Sequence, residues 1–232
     1  MDVAYSQLLT ELPSFISTIS MVEDDRENII ASFRHAERRS PSTYAPARDL
    51  IRRILQGDFS YKAAVHHAQA ISGDVERRCA LSVLETAKEF LCAEAPAAIS
   101  SVDAMRYQVR SGLELKVGSL WVRHLVPQRL FVLHAWKKPL SEWQRGAFAR
   151  ILRDSLLEYQ PDYANLEIDL ISVAASEHSS NRKFEKYNWS ALKPLDNQSL
   201  QRFLNQLLSA WDEYHKRGPR KFYPRRTGEL FR

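Results

Sequence analysis

Two carboxylates and a lysine lie close together in the middle of the chain. Glu114 and Lys116 are separated by one residue, and Asp103 stands eleven residues before Glu114. Two carboxylates can bind a divalent cation such as Mg²⁺, and a lysine beside them can orient a water that attacks a phosphodiester. A charge pair between neighbouring strands is the structural alternative for the same residues.

This order of an acid followed by acid-x-lysine resembles the signature of the PD-(D/E)xK nucleases. The resemblance implies a metal-dependent nuclease in which Asp103 and Glu114 bind Mg²⁺ and Lys116 serves the attacking water. Mg²⁺ is the only cofactor we expect, and we expect it only under this hypothesis.

A second group of candidates surrounds the segment RLFVLHAWKK, residues 129–138. Residues 112–152 resemble the core of RelE/HigB-type ribonuclease toxins, in which a similar strand ends in Leu-His-aromatic and paired lysines. The resemblance implies metal-free RNA cleavage, which needs a base, a cation at the phosphorane and an acid. The side chains that it implies are Lys116, Arg123, His134, Lys137 and Lys138.

Both features of that segment also have structural explanations. A histidine on a strand that is apolar on both faces is typically a core residue with a hydrogen bond, which would account for His134. Lys137 and Lys138 mark the place where the strand leaves the core, because Pro139 cannot continue the ladder.

Positive charge is concentrated at the C-terminus. The chain has a net charge of +5, and residues 216–232 hold seven cations and one acid, a net charge of +6. Cations interleaved with aromatic rings suit phosphates and stacked bases. The candidate nucleic-acid-binding residues are Arg220, Lys221, Phe222, Tyr223, Arg225 and Arg226.

The first hundred residues are predicted to be helical. Apolar residues recur at helical spacing over residues 3–37, and two short helices follow that end at Gly57 and Gly73. A longer helix is predicted from Asp74 to Pro96.

From Ala104 onward the apolar period changes to two, which indicates strands. Gly118-Ser119 is predicted to close a hairpin, and residues 129–136 form a central strand. A helix with a Ser141/Gln144 capping box, a strand over 165–173 and a final helix ending at Gly218-Pro219 follow. In the 165–173 strand, Glu167 and Asp169 are predicted to face solvent.

The predicted fold class is therefore α+β: a helical N-terminal half, then an antiparallel β-meander with a packed helix, a further strand and a C-terminal helix. The predicted domains are a helical region over 1–100, an α+β domain over 101–216 and a basic aromatic arm over 217–232.

The composition predicts a protein with a substantial core and no membrane span. Hydrophobic residues make up 44% of the chain, but no apolar run approaches the length of a transmembrane helix. We expect a cytoplasmic location and a nucleic-acid-binding or protein-interaction component that is not an enzyme. RNA or DNA would bind the arm, and a protein partner could dock on the helical half; a nuclease is the alternative.

Overall fold

The computed structural model describes residues 4–5, 7–22, 25–37, 43–136, 138–175, 181–219 and 221–222. The helices are α1 (Phe15–Met21), α2 (Arg26–Ala36), α3 (Ala45–Gln56), α4 (Tyr61–Gln69), α5 (Asp74–Thr86), α6 (Lys88–Ala93), α7 (Glu142–Tyr159), α8 (Trp189–Leu192) and α9 (Asn197–Lys216). The strands are β1 (Ala4–Tyr5), β2 (Ile99–Ser101), β3 (Met105–Arg110), β4 (Leu113–Val117), β5 (Trp121–Arg123), β6 (Arg129–Trp136), β7 (Glu167–Ala175), β8 (Arg182–Tyr187) and β9 (Lys221–Phe222). This order confirms the α+β class. Within these residues, no helix has the length and apolar character needed to cross a membrane.

A five-stranded sheet in the order β2-β5-β6-β7-β8 forms the centre of the molecule. The predicted central position of β6 is confirmed, because β6 is buried on both faces. Leu130 and Val132 pack into one hydrophobic core, while Phe131 and Leu133 pack into a second core on the opposite face.

Helices cover both faces of the sheet. One core contains residues of α1, α2, α7, α9 and the β3-β4 hairpin, and the other contains residues of α3, α4, α5 and α6. Both cores therefore combine residues from either side of position 100. The predicted division into domains there stays a prediction.

The strand pairing differs from the predicted antiparallel meander in two places. β3 and β4 form a separate hairpin, whose turn includes Gly112 at φ 74°, so Gly118-Ser119 connects two sheets instead of closing a hairpin. β7 also runs parallel to β6. The 18 residues of α7 extend about 27 Å, roughly the length of the 8-residue β6, so the helix returns the chain to the start of β6.

Helix ends follow the predicted local signals. Gly57 has the left-handed conformation that its C-cap position requires, at φ 90°, and Ser141 and Gln144 form the predicted capping box. The helix predicted from Asp74 to Pro96 is instead divided at Ala87, where φ −90° and ψ 2° end α5 and begin α6. This change of direction lets Leu91 of α6 join Val83 and Leu84 of α5 in one core.

Candidate anion-binding pocket

A cavity of about 280 Å³ lies beside β6, next to the residues that precede its neighbour β5. The last pair between these strands is Trp121 with Phe131, so the β5 side of β6 has no partner strand from Val132 onward among the described residues. The cavity is lined by Ser14, Phe15, Ile16, Arg48, Ala104, Lys116, Gly118, Ser119, Val132 and Leu133.

Arg48 and Lys116 are the two cationic residues that line this cavity, and none of its described lining residues is acidic. Neither the Arg48 guanidinium nor the Lys116 ammonium makes a hydrogen bond or an ion pair with another described residue. Burial lowers the pKa of Arg48, because its charge has lost water without gaining a carboxylate. The cavity therefore has uncompensated positive charge, which an anion would neutralise.

Local structure explains how each cation reaches the cavity. In α3, Ala47, Leu50 and Ile51 pack into the core, so Arg48 between them is left at the side of the helix. In β4, Leu115 and Val117 are buried, which places Lys116 on the exposed face of the hairpin.

Lys116 also stands directly opposite Arg106 in the β3-β4 ladder. Like charges opposite one another on a strand pair are destabilising. The Arg106 guanidinium donates to Glu114 Oε2 at 2.8 Å, so the nearest acid on that face is already paired. An anion beside Lys116 would relieve the remaining repulsion.

His134 lies near this cavity inside the protein. It is only 1% exposed; its Nδ1 is 3.0 Å from Ser172 Oγ, and its Nε2 is buried without a partner. Burial, reinforced by the charge of Arg48, lowers the pKa of His134 to about 4. The imidazole is therefore neutral at pH 7, as a core histidine would be, and it contributes no charge to the pocket.

The structure brings only part of the predicted catalytic sets together. Lys116 lines the cavity and His134 is close to Arg48, whereas Asp103 is exposed before β3 and Glu114 is paired with Arg106. Across the described ranges, no three His, Cys, Asp or Glu side chains are grouped to hold a metal ion. Asp103 and Glu114 remain the predicted Mg²⁺ ligands.

Arg123 belongs to a different cluster, at the opposite end of β5 from the cavity. Its guanidinium pairs with Glu94 and donates to the carbonyl of Ala95. Lys186 Nζ lies 3.7 Å from Glu94 Oε1 and 3.2 Å from Asp169 Oδ2. Arg129 Nη1 lies 3.2 Å from Asp169 Oδ1. Asp169 is 5% exposed, so the prediction that it faces solvent was wrong. Its carboxylate can be buried because the Arg129 and Lys186 side chains lie within ion-pair distance of it.

The remaining predicted residues are placed as follows. Lys137, Arg220, Tyr223, Arg225 and Arg226 lie outside the described residues, and Lys221 and Phe222 form β9, which pairs antiparallel with β1. Lys138 lines a larger cleft of about 790 Å³ at the start of α7.

That larger cleft differs from the smaller cavity in its charge. It contains the acids Asp25 and Glu142, and Glu142 accepts a hydrogen bond from Lys193 Nζ at 2.7 Å. Its Gln144 donates to the carbonyl of Val22 at 3.0 Å. Because these polar groups bind one another, the cleft offers an anion less than the Arg48–Lys116 pocket does.

Neither Arg48 nor the open edge of β6 was a candidate before the structure was known. A single arginine in the first turns of an amphipathic helix carries no sequence signal of a site. No protein-family model matches the chain, and no curated protein matches it.

Proposed function

We propose that this protein binds nucleic acid through the phosphate backbone, with one phosphate held in the Arg48–Lys116 pocket. The observation that carries the proposal is that two cations without a partner among the described residues line one cavity that has no described lining acid. Phosphate oxygens are the anions that arginine and lysine side chains bind in nucleic acids, and such contacts dominate affinity.

The basic C-terminal segment supports the same proposal. Leu9 N–H donates to Tyr214 Oη at 2.8 Å, and Leu9 O lies 3.0 Å from His215 Nε2, which ties residue 9 to the last turns of α9. Ser14 of the pocket is five residues from Leu9, so the two lie at most about 18 Å apart.

That distance corresponds to about five base pairs of duplex backbone. The segment that follows Gly218 begins near the same end of α9, because Arg34 donates to the carbonyls of Tyr214 and Gly218. A strand with one phosphate in the pocket would therefore pass within reach of this basic segment.

The first test is the affinity of the purified protein for labelled single-stranded RNA, single-stranded DNA and duplex DNA across a salt series. Arg48→Met and Lys116→Met should each weaken binding by about tenfold, because each removes a charge-assisted hydrogen bond to phosphate. Each should also reduce the slope of log K against log salt by about 0.7 to 0.9.

Two further variants are measured in the same way, one as a control for the pocket and one to test the basic C-terminal segment. Lys62→Met removes an exposed cation of α4 that does not line the pocket, and it should leave the slope nearly unchanged. Deletion of residues 220–232 removes five cations and one acid, a net charge of +4, while it keeps the Gly218 carbonyl that Arg34 binds. This deletion should lower both affinity and slope.

The same samples, run on a denaturing gel with and without Mg²⁺, test the predicted nuclease alternative. Binding without shortening of the label would support a component that is not an enzyme. Wild-type affinity and slope in Arg48→Met and Lys116→Met would overturn the role of the pocket. Absence of binding at low salt would overturn the proposal as a whole and leave the predicted protein interaction of the helical half.

A further inference from the structure

We infer that the Arg48–Lys116 pocket receives a terminal phosphomonoester, the phosphorylated end of a nucleic-acid strand. This inference rests on the proposed function and specifies its ligand. An internal phosphodiester carries one negative charge, whereas a phosphomonoester carries about 1.5 to 2 at pH 7. Two unpartnered cations without a lining acid match the charge of the monoester.

The size of the cavity suits a small anionic group. Four parts of the chain surround it: Phe15 and Ile16 at the start of α1, Arg48 of α3, the end of β4 with Gly118-Ser119, and Val132 and Leu133 of β6. Its volume of about 280 Å³ is just below the 300 to 1,000 Å³ typical of small-molecule sites.

The pocket also has polar groups that suit a phosphate and its sugar. The main chain of β6 beyond Phe131 has no partner strand on this side within the described part of the chain, so its edge groups can bind a ligand. Ser14 and Ser119 also line the cavity, and the Ser14 hydroxyl lies 3.0 Å from the Ser17 hydroxyl.

Ser119 itself has an unusual backbone conformation. Its φ of 62° is in the left-handed region, which is costly for a residue other than glycine. The loop therefore holds this serine against the cavity at a conformational cost, as often occurs where a side chain or backbone serves a ligand.

The test uses oligonucleotides of one sequence with an internal label and three kinds of end: 5′-phosphate, 3′-phosphate, or hydroxyls at both ends. Their dissociation constants are measured at one salt concentration for wild type, Arg48→Met, Lys116→Met and the Lys62→Met control. Wild type should bind one phosphorylated form at least about tenfold more tightly than the hydroxyl form. This ratio should approach one in Arg48→Met and Lys116→Met and stay unchanged in Lys62→Met.

Competition experiments distinguish the source of the phosphate. A nucleoside monophosphate should displace the phosphorylated oligonucleotide at lower concentration than inorganic phosphate does, because Ser119 of the lining can also bind the sugar, and the free nucleoside should not displace it. Thermal unfolding of each variant confirms that it is folded, and Lys116→Met, which changes an exposed side chain, keeps the test decisive if Arg48→Met is unstable.

Equal affinity for all three ends, with salt-dependent binding retained, would overturn this inference and leave the proposed function intact. Binding of the nucleoside monophosphate without binding of any oligonucleotide would overturn both. Preference for a phosphorylated end that persists in both pocket variants would place the end group elsewhere and overturn the inference.

Discussion

The burial of His134 should make the protein less stable in mild acid, and His134→Gln should remove that dependence. Burial and the nearby Arg48 charge lower the pKa of His134 to about 4, whereas the same side chain titrates near 6.5 in the unfolded chain. A lowered pKa means that the unfolded state takes up the proton first. His134 therefore costs little stability above pH 6.5, and its cost grows as the pH falls towards 4.

The size of this effect follows from the two pKa values. Each unit of difference corresponds to about 1.36 kcal/mol, and most of the interval is crossed between pH 7 and pH 5. Integrated over that range, His134 should lower the free energy of unfolding by about 2 kcal/mol. Glutamine can keep a hydrogen bond to Ser172 but does not titrate, so His134→Gln isolates this contribution from that of the carboxylates.

The assay is urea unfolding of both proteins at pH 7 and pH 5. The loss of unfolding free energy between these pH values should be about 2 kcal/mol larger in wild type than in His134→Gln. The chemical shift of the His134 Cε1–H proton, followed by NMR, reports the folded-state pKa directly. An identical pH dependence of the two proteins, or a folded-state pKa near 6.5, would refute the argument from burial.

Two other substitutions test packing elsewhere in the fold. Arg34→Met should lower the free energy of unfolding in urea by about 3 kcal/mol or more, because it leaves the buried Glu37 carboxylate, 2.6 Å from Arg34, without its cation. A loss below about 1 kcal/mol would show that this pair contributes little. Gly146→Ala should cost about 1 to 3 kcal/mol, because its Cβ would lie 2.9 Å from both Leu195 Cδ2 and the Lys193 carbonyl oxygen. Gly112→Ala is the control for backbone strain without a clash, since nothing lies within 4 Å of its added Cβ but φ is 74°. An unchanged melting temperature in Gly146→Ala would contradict the predicted clash.

Local signals in the sequence predicted most elements but not their pairing. The capping box at Ser141 and the C-cap at Gly57 depend on residues within one turn, so the sequence alone was enough to identify them. Which strand pairs with β4 depends on whether the chain makes its hairpin turn at Gly112 or at Gly118, and both glycines suit a turn. Only packing of the β3-β4 hairpin against α7 and α1 distinguishes these alternatives.

The candidate pocket was even less accessible from the sequence. Lys116 was predicted as a site residue because of its spacing from Glu114, but the structure pairs that glutamate with Arg106. Arg48 is far from Lys116 in the sequence, and both line the cavity beside the edge of β6, which is open beyond Phe131 because β5 begins only at Trp121. Neither the length of β5 nor the position of α3 beside it has a local sequence signal.

The contrast between two charged clusters on one sheet argues that the positive charge of the pocket has a purpose. At the start of β6, Arg123, Arg129 and Lys186 each lie within an ion-pair distance of Glu94 or Asp169, so burial is matched by opposite charge. Further along the same strand, beside Val132 and Leu133, Arg48 of α3 is partly buried without an acid. A fold that balances its charges at one end of a strand has no structural need to leave them unbalanced at the other. An anionic ligand at Arg48 and Lys116 would supply the missing charge, and the proposed binding of a phosphorylated strand end is the form of this explanation that can be measured directly.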